Sequence, residues 1–304
     1  MRSDPMSEVL DLVAVQAVMT SGFTARGAWV ARGEFGEILK FVALARGRVE
    51  LTADGADAPL VLGAGDVAVL NGPGRLVMRG GPADGVPREI DVADPRHAPV
   101  AEEGADTLLG GHVALNAIGR SLLGQALPPV AHIRAASTAV PLRARLDLLL
   151  AEMTADQLGA AFALRQHAQL FVLDLLRVHL GRSALPPGWP RLLTDARLLP
   201  AVRLMHAEPG TAWRLETLAR AAAMSRTTFA TRFREVAGVP PLTYLVRWRM
   251  LLARRALREG EESVGALAAS LGYASESAFS TAFRREVGEP PLRYRAHARR
   301  GSGA

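Results

Sequence analysis

Cysteine is absent from this chain of 304 residues, which excludes disulfides, thiolate metal sites and cysteine redox sensing. Lysine is almost absent, since Lys40 is the only one and arginine supplies every other fixed side-chain cation. No run of about 18 or more uncharged apolar residues occurs, so no membrane span is expected. The segment from Met1 to Glu8 is acidic and has no apolar stretch of the signal-peptide kind, which makes a cytoplasmic protein the expectation. What remains is ordinary globular material, 49% apolar and 22% charged, and long enough for two cores.

Charge is unevenly placed. Residues 201–304 hold 17 Arg and 9 Glu with no Lys or Asp, a net +8. Residues 1–200 hold 19 basic and 21 acidic residues, a net −2. A basic module behind a near-neutral body is the electrostatic footprint of a nucleic-acid binder. A bare preference for arginine explains the choice of cation but not this asymmetry.

The basic segment also repeats itself. Ser225, Phe229, Thr231, Phe233, Arg234, Gly238, Pro240-Pro241-Leu242 and Tyr244 return 50 positions later as Ser275, Phe279, Thr281, Phe283, Arg284, Gly288, Pro290-Pro291-Leu292 and Tyr294. A repeat of this length is one supersecondary unit used twice. In each copy an apolar stripe (Leu215, Leu218, Ala219, Ala222; then Val264, Leu267, Ala268, Leu271) precedes a short turn and a second helix. Ser225 and Ser275 are placed to cap those second helices. Gly272 suits a turn that needs positive φ. The paired phenylalanines, four apart, are expected to be core.

Removing the core positions leaves the faces that are free to touch DNA if the segment binds it. They are Arg226, Thr227, Ala230, Thr231 and Arg234 in the first helix, and Glu276, Ser277, Ser280, Thr281 and Arg284 in the second. Short polar side chains near a helix N-terminus can approach base edges in a major groove. Arg226, Arg232, Arg234, Arg284 and Arg285 read as phosphate clamps. Glu276 either accepts from a cytosine amino group or favours the helix N-terminus, and the second is the safer reading. Between the units, Pro241 to Arg258 reads as one helix with Tyr244, Leu245, Trp248, Leu251, Leu252, Ala256 and Leu257 inward and Arg247, Arg249, Arg254, Arg255 and Arg258 outside. It sets the separation of the readers, and about 34 Å would place them in successive grooves.

Ahead of the repeat, Lys40–Leu44, Arg48–Thr52, Leu60–Leu62, Asp66–Leu70 and Leu76–Arg79 read as strands punctuated by glycine turns. Such spacing suggests a small antiparallel barrel or sandwich. Leu142, Leu146, Leu149 and Met153 then recur at helical spacing, and 158–180 continues as an apolar helix. This pair is expected to pack on the barrel and to contribute to a dimer contact. The proline-rich stretch 184–190 cannot continue a helix and is the expected interdomain join, after which Asp195 caps or begins a helix through His206.

From about Asp195 to Arg295 the chain resembles the DNA-binding domain of AraC/XylS-type transcription regulators. The likeness is carried by Tyr244-Leu-Val-Arg-Trp-Arg-Met250 and by Ala266-Leu-Ala-Ala-Ser-Leu-Gly-Tyr-Ala-Ser-Glu-Ser-Ala-Phe-Ser-Thr-Ala-Phe283, with Gly288 and Pro290-Pro291. The front half resembles, more loosely, the cupin-type sensor domains of one branch of that family, through Asp4-Pro-Met-Ser-Glu-Val-Leu10, Gly63-Ala-Gly-Asp-Val-Ala-Val-Leu70 and Ala126-Leu-Pro-Pro-Val130. Two positions depart from the family pattern: Thr231 stands where relatives often carry Arg, and Ala223 where Gly is common.

The resemblance implies an α+β protein: an N-terminal antiparallel β-barrel (cupin-like) with packed helices, then an all-α domain with two helix-turn-helix units. The expected domains are 1–183 for sensing and dimerisation (barrel to about 130, helices 141–181), a linker at 184–194, and DNA binding at 195–304. It implies a sequence-specific homodimer on double-stranded DNA, with an RNA polymerase contact, a small-molecule or partner signal, no membrane and no cofactor. Many cupins hold metal with a His-x-His pair, which the strand at Lys40–Leu44 lacks, and His97, His112 and His132 are scattered. No metal and no catalysis are therefore expected. The competing readings are a cupin enzyme fused to a DNA-binding module, with Glu34, Glu37 and Glu50 as its carboxylates, and a nonspecific coat on nucleic acid.

Overall fold

A computed structural model of the chain describes residues 4–13, 16–36, 39–82, 84–92, 102–135, 140–154, 157–181 and 185–301. His97 and Glu37 lie outside them. Two compact units are present: Val13–Ser183, and Ala184–Ala304 together with Met1–Leu12.

The first unit is built on two five-stranded sheets. Its strands are β1 (Gln16–Ala25), β2 (Trp29–Phe35), β3 (Leu39–Arg46), β4 (Arg48–Ala53), β5 (Leu60–Gly63), β6 (Val67–Asn71), β7 (Gly74–Gly80), β8 (Arg88–Ile90), β9 (Asp106–Ala114) and β10 (Val130–Ile133). One sheet runs β1-β9-β3-β6-β10 and the other β5-β4-β7-β2-β8. The expected antiparallel pairing holds along both sheets apart from β8, which joins β2 in parallel.

Alternation along the strands sorts their side chains. On β4 the pattern is strict, with Val49, Leu51 and Ala53 buried and Arg48, Glu50 and Thr52 exposed. β3 is covered on both faces. Val42 and Leu44 enter the core between the sheets with Phe23, Trp29, Leu62, Leu70 and Leu108. Phe41, from the other face, meets Phe171 with ring centroids 5.0 Å apart. Phe171 belongs to the helix Ala160–Leu180, which explains why β3 reads as a continuous apolar run. Buried polar groups are tied down. Asp106 accepts from Trp29 Nε1 at 2.8 Å and from the amides of Arg48 and Gly81. Asp66 Oδ2 lies 2.9 Å from His132 Nε2, so His132 is a satisfied partner within the fold.

The helices, in chain order, are α1 (Pro5–Val13), α2 (Ala117–Ala126), α3 (Val140–Thr154) and α4 (Ala160–Leu180). They continue as α5 (Trp189–Thr194), α6 (Leu199–Ala207), α7 (Leu215–Ala221), α8 (Arg226–Ala237), α9 (Pro241–Glu259), α10 (Val264–Ser270), α11 (Glu276–Val287) and α12 (Pro291–Gly301). On α3, Leu142, Leu146 and Leu149 are buried as their spacing demands, and α4 buries Ala168, Phe171, Val172, Leu175 and Leu176. Leu148, Leu158, Phe162 and Leu170 nevertheless stay exposed on or beside these two helices.

In the second unit the stretch expected to be a bare join is partly helical. Pro190 sits in the first turn of α5, where the missing N–H has no intrahelical role, and Leu192 enters the core with Phe229 and Phe233. Asp195 ends α5 and accepts through Oδ1 from the amides of Arg197 and Leu198, while α6 begins at Leu199. One apolar cluster then holds α5 to α8, and a second holds α10, α11 and the latter half of α9.

Candidate nucleic-acid interface

Each half of the second unit is a helix, a turn and a second helix. Helix α7 packs on α8 through Leu218, Ala219, Phe229 and Phe233, all fully buried or nearly so. α10 packs on α11 through Leu267, Ala268, Phe279 and Phe283. Each phenylalanine pair is in ring contact, with centroids 5.6 and 5.7 Å apart. Tyr244 meets Phe233 edge-on, and Tyr294 meets Phe283 in the same way. These aromatic anchors fix the rotation of α8 and α11, and so decide which side chains face outward.

The start of each outer helix is also set locally. Ser225 accepts from Thr228 N at 3.2 Å and Ser275 from Ala278 N at 3.1 Å, which satisfies an amide that the helix leaves free. Gly238 and Gly288 end the helices in the left-handed conformation, φ +74° and +94°.

With that rotation, Arg226, Thr227, Thr231 and Arg234 are exposed and Ala230 is half-buried. On α11, Glu276, Ser277, Thr281 and Arg284 are exposed and Ser280 is half-buried. The two sets are burial equivalents across the repeat. Arg226 forms an exposed ion pair with Glu216 on α7 at 2.9 Å. Such a pair is worth about 0–1 kcal/mol, so a phosphate can take over the guanidinium at little cost. Arg234 and Arg284 have no acidic partner among the described residues, which leaves both guanidinium groups open.

Two expectations about arginines need correction. Arg232 does not face outward as a phosphate clamp. Its Nη2 donates to Asp195 Oδ2 at 2.8 Å, and Asp195 is nearly buried. Arg285, by contrast, stays exposed, and its pair with Glu286 at 3.3 Å is of the same weak kind as that of Arg226. On α9, Arg247 and Arg255 are exposed, but Arg249, Arg254 and Arg258 are half-buried. Arg249 donates to the carbonyls of Pro209 and Thr211 and lies 5.7 Å from the centre of the Tyr273 ring. Thr211 follows α6 and Tyr273 stands in the turn before α11, so this arginine fastens one half of the unit to the other. Met250 and Ala253 are buried on α9, while Leu251 and Leu252 are only half-buried.

A second fastening lies in the backbone. A Cβ placed on Gly272 would lie 2.0 Å from the Gly210 carbonyl oxygen, so the two turns meet main chain to main chain.

A third is a buried polar stack. The His206 ring lies flat on Trp248, with centroids 3.6 Å apart and planes within 2°. Its Nε2 is 2.8 Å from the Tyr244 hydroxyl and its Nδ1 2.9 Å from Glu8 Oε2. Burial pushes the His206 imidazole down to about 3 and holds the Tyr244 phenol above its ordinary range. The network is then satisfied by a neutral ring that accepts from Tyr244 O–H and donates from Nδ1 to Glu8. Glu8 belongs to α1, which groups with this unit. None of these partners was legible in the sequence, because they stand 198 and 38 positions apart along the chain.

Among the described residues, no group of three or more His, Cys, Asp or Glu side chains is placed to hold a metal ion. No described helix is long and apolar enough to cross a membrane.

Comparison with known proteins matches residues 4–181 to a cupin family and residues 218–297 to a helix-turn-helix domain family. A protein of Streptomyces lividans named as an AraC-like transcription regulator is 34% identical over 292 residues, spanning 90% of this chain and 92% of its own. A protein of Streptomyces antibioticus with the same name is 34% identical over 285 residues, with the same two coverages. Among solved structures, the DNA-binding domain of AdpA in complex with a target DNA is 38% identical, covers 34% of this chain and 93% of that one, and has a TM-score of 0.33. With a cupin domain ahead of two helix-turn-helix units and a relative matched over nine-tenths of its length, the chain belongs to the AraC-type DNA-binding transcription regulators.

Proposed function

We propose that the protein binds particular DNA sites as a homodimer by laying α8 and α11 into neighbouring major-groove segments. The observation that carries this is the equivalence of two exposed faces: Arg226, Thr227, Ala230, Thr231 and Arg234 on one helix, and Glu276, Ser277, Ser280, Thr281 and Arg284 on the other. Arg234 and Arg284 supply salt-dependent phosphate contacts, and the short polar side chains read base edges. Residues 195–304 are assigned to DNA binding and 1–183 to sensing, with 184–194 joining them. Glu276 opens α11 and favours its N-terminus.

The exposed Leu148, Phe162 and Leu170 on α3 and α4, with Leu158 just ahead of α4, are the apolar side chains assigned to a dimer contact. The protein acts without catalysis, in the cytoplasm, and regulates through RNA polymerase. A small-molecule effector at the cupin domain biases DNA-competent against incompetent arrangements through its differential affinity for them. Of the carboxylates that an enzyme reading would use, Glu50 is exposed and pairs with Arg79, and Glu34 is exposed on the same strand as Arg32.

Selection of bound fragments from genomic DNA by the purified protein, with nonspecific competitor at physiological salt, tests the proposal. Enrichment of a few sites with two groove contacts each supports it. Uniform recovery with and without cell-extract metabolites removes specific reading.

A further inference from the structure

The two helix-turn-helix units differ at their turns. The first turn carries Ala223 and Met224 where the second carries Gly272 and Tyr273. Ala223 is exposed, whereas the second turn is met by the loop that follows α6. A Cβ placed on Gly272 would lie 2.0 Å from the Gly210 carbonyl oxygen, and one placed on Gly210 would lie 2.4 Å from that of Ser270. Glycine at both positions lets a loop of the first half reach the turn of the second, main chain to main chain.

Arg249 holds the same loop. Its Nε donates to the carbonyl of Pro209 and its Nη2 to that of Thr211 at 3.0 Å, the two residues that flank Gly210. Its guanidinium carbon lies 5.7 Å from the centre of the Tyr273 ring. The planar fork is thus spent on main-chain carbonyls, which cannot swing away as an acidic side chain can. Arg249 also stands at the junction of two cores on α9. Leu245 enters the one built on Phe229 and Phe233, while Met250 and Ala253 enter the one built on Phe279 and Phe283. A lone helix between two cores bends, and the Arg249 contacts brace it where it would do so.

We infer that Arg249 is a positioning residue for DNA recognition: by holding the 209–211 loop against the second turn it fixes the distance and rotation between α8 and α11, and so sets the spacing of groove contacts that the protein accepts. The inference rests on the reading that α8 and α11 both engage DNA. One base pair inserted between two contacts moves them apart by about 3.4 Å and turns them by about 35° around the duplex. Braced readers cannot follow that change, whereas unbraced readers follow it in part.

Two measurements on the full chain test this, the first without DNA. The chain has no cysteine, so Glu235→Cys and Arg285→Cys, at exposed equivalent positions of α8 and α11, take one spin label each. Pulsed electron resonance then gives the distance between the readers. A single narrow distance is expected with Arg249 present. Arg249→Met, which keeps the stem and removes the donors, should broaden it, and Gly210→Ala should shift it with Arg249 still in place. Neither position belongs to an apolar core, so both variants should fold, which near-ultraviolet circular dichroism reports. Equal widths with Arg249 and with Arg249→Met, or an unmoved distance in Gly210→Ala, overturn the brace.

The second measurement uses duplexes bearing a site recovered by selection, with one base pair inserted or removed between its two contacts. The wild type should lose about tenfold or more in affinity, the loss of one reader's base contacts. Arg249→Met should lose about threefold or less for the same change. Arg247→Ala, at an exposed position of the same helix, should change affinity by one factor at every spacing. A full spacing penalty in Arg249→Met overturns the role of Arg249. A wild type that ignores spacing yet shows a narrow distance overturns the inference by removing the two-reader reading, and leaves the brace standing.

Discussion

Ala223 and Gly272 hold equivalent places in the two helix-turn-helix turns, and both adopt the left-handed backbone, φ +51° and +77°. Ala223 N donates to Arg220 O, as Gly272 N donates to Ala269 O, and Met224 N to Ala219 O, as Tyr273 N does to Ala268 O. The offset is therefore 49 through the turns (223 to 272) and 50 after them (225 to 275), because Ala274 lengthens the second turn by one residue. The absence of glycine at 223 has not changed the turn. It has placed a Cβ in a conformation that costs an L-residue about 1–2 kcal/mol.

Ala223→Gly should accordingly stabilise the protein by about 1 kcal/mol, after the greater freedom of glycine in the unfolded chain is set against the relieved strain. Gly272→Ala should destabilise it by more, since its Cβ would meet the Gly210 carbonyl as well. Urea unfolding of the two variants checks both signs. A neutral or negative result for Ala223→Gly would remove strain at this turn.

Arginines on the same helix should separate by what they touch. Arg234→Ala and Arg284→Ala should each weaken DNA binding and lower the slope of log K against log salt by about 0.9. Stability should hardly change, because neither side chain is buried or paired. Arg232→Ala should do the reverse, leaving the salt slope intact and costing about 1–3 kcal/mol through the unpaired, nearly buried Asp195. Binding titrations at several salt concentrations, beside urea unfolding, distinguish the two classes.

His206 should make the protein sensitive to acid. Its imidazole is held down near 3 by burial, against 6.5 when exposed. The unfolded chain therefore binds the additional proton first. The stability due to a neutral His206 is complete above pH 6.5 and is lost as pH falls from 6.5 towards 3, by up to about 1.4 kcal/mol per pH unit. Burial raises the Glu8 carboxyl above its ordinary 4.5, and its protonation favours the fold, so it offsets part of the loss at the lower end. The clearest slope lies about one pH unit below 6.5, where the unfolded imidazole is almost fully protonated. His206→Gln should flatten that slope, and unfolding measured between pH 5 and 7 would expose a variant that retains it.

Phe162→Asp together with Leu170→Asp should convert the proposed dimer to a monomer with an unchanged melting transition of each unit. Both side chains are exposed, at 61% and 42% of their full surface, so neither carries the core. Light scattering gives the mass. A wild-type monomer at micromolar concentration, with and without DNA, would remove the dimer from the proposal.

Much of the DNA-binding half was legible because its signals are local. Ser225 and Ser275 cap the residue three positions on, and Phe229 and Phe233 are one helical turn apart. The burial of α8 and α11 follows from that spacing and repeats over 226–235 and 276–285. The front half was less legible. Strands such as β9 and β10 carry no turn signature that names their partners, and β8 pairs with β2 in parallel, which no alternation announces.

The sequence by itself determined the repeat, the capped outer helices with their exposed polar faces, and the asymmetry of charge. Each of these depends on residues within a few turns of one another or on composition. Tertiary structure alone decided the fate of individual charged and polar groups. Arg232 was drawn inward to Asp195, 37 positions away, and Arg249 to the carbonyls at Pro209 and Thr211. His206 was placed between Glu8 and Tyr244. A charged side chain is indifferent to helical period. Its position is fixed by whichever counter-charge, carbonyl or void the fold brings within reach.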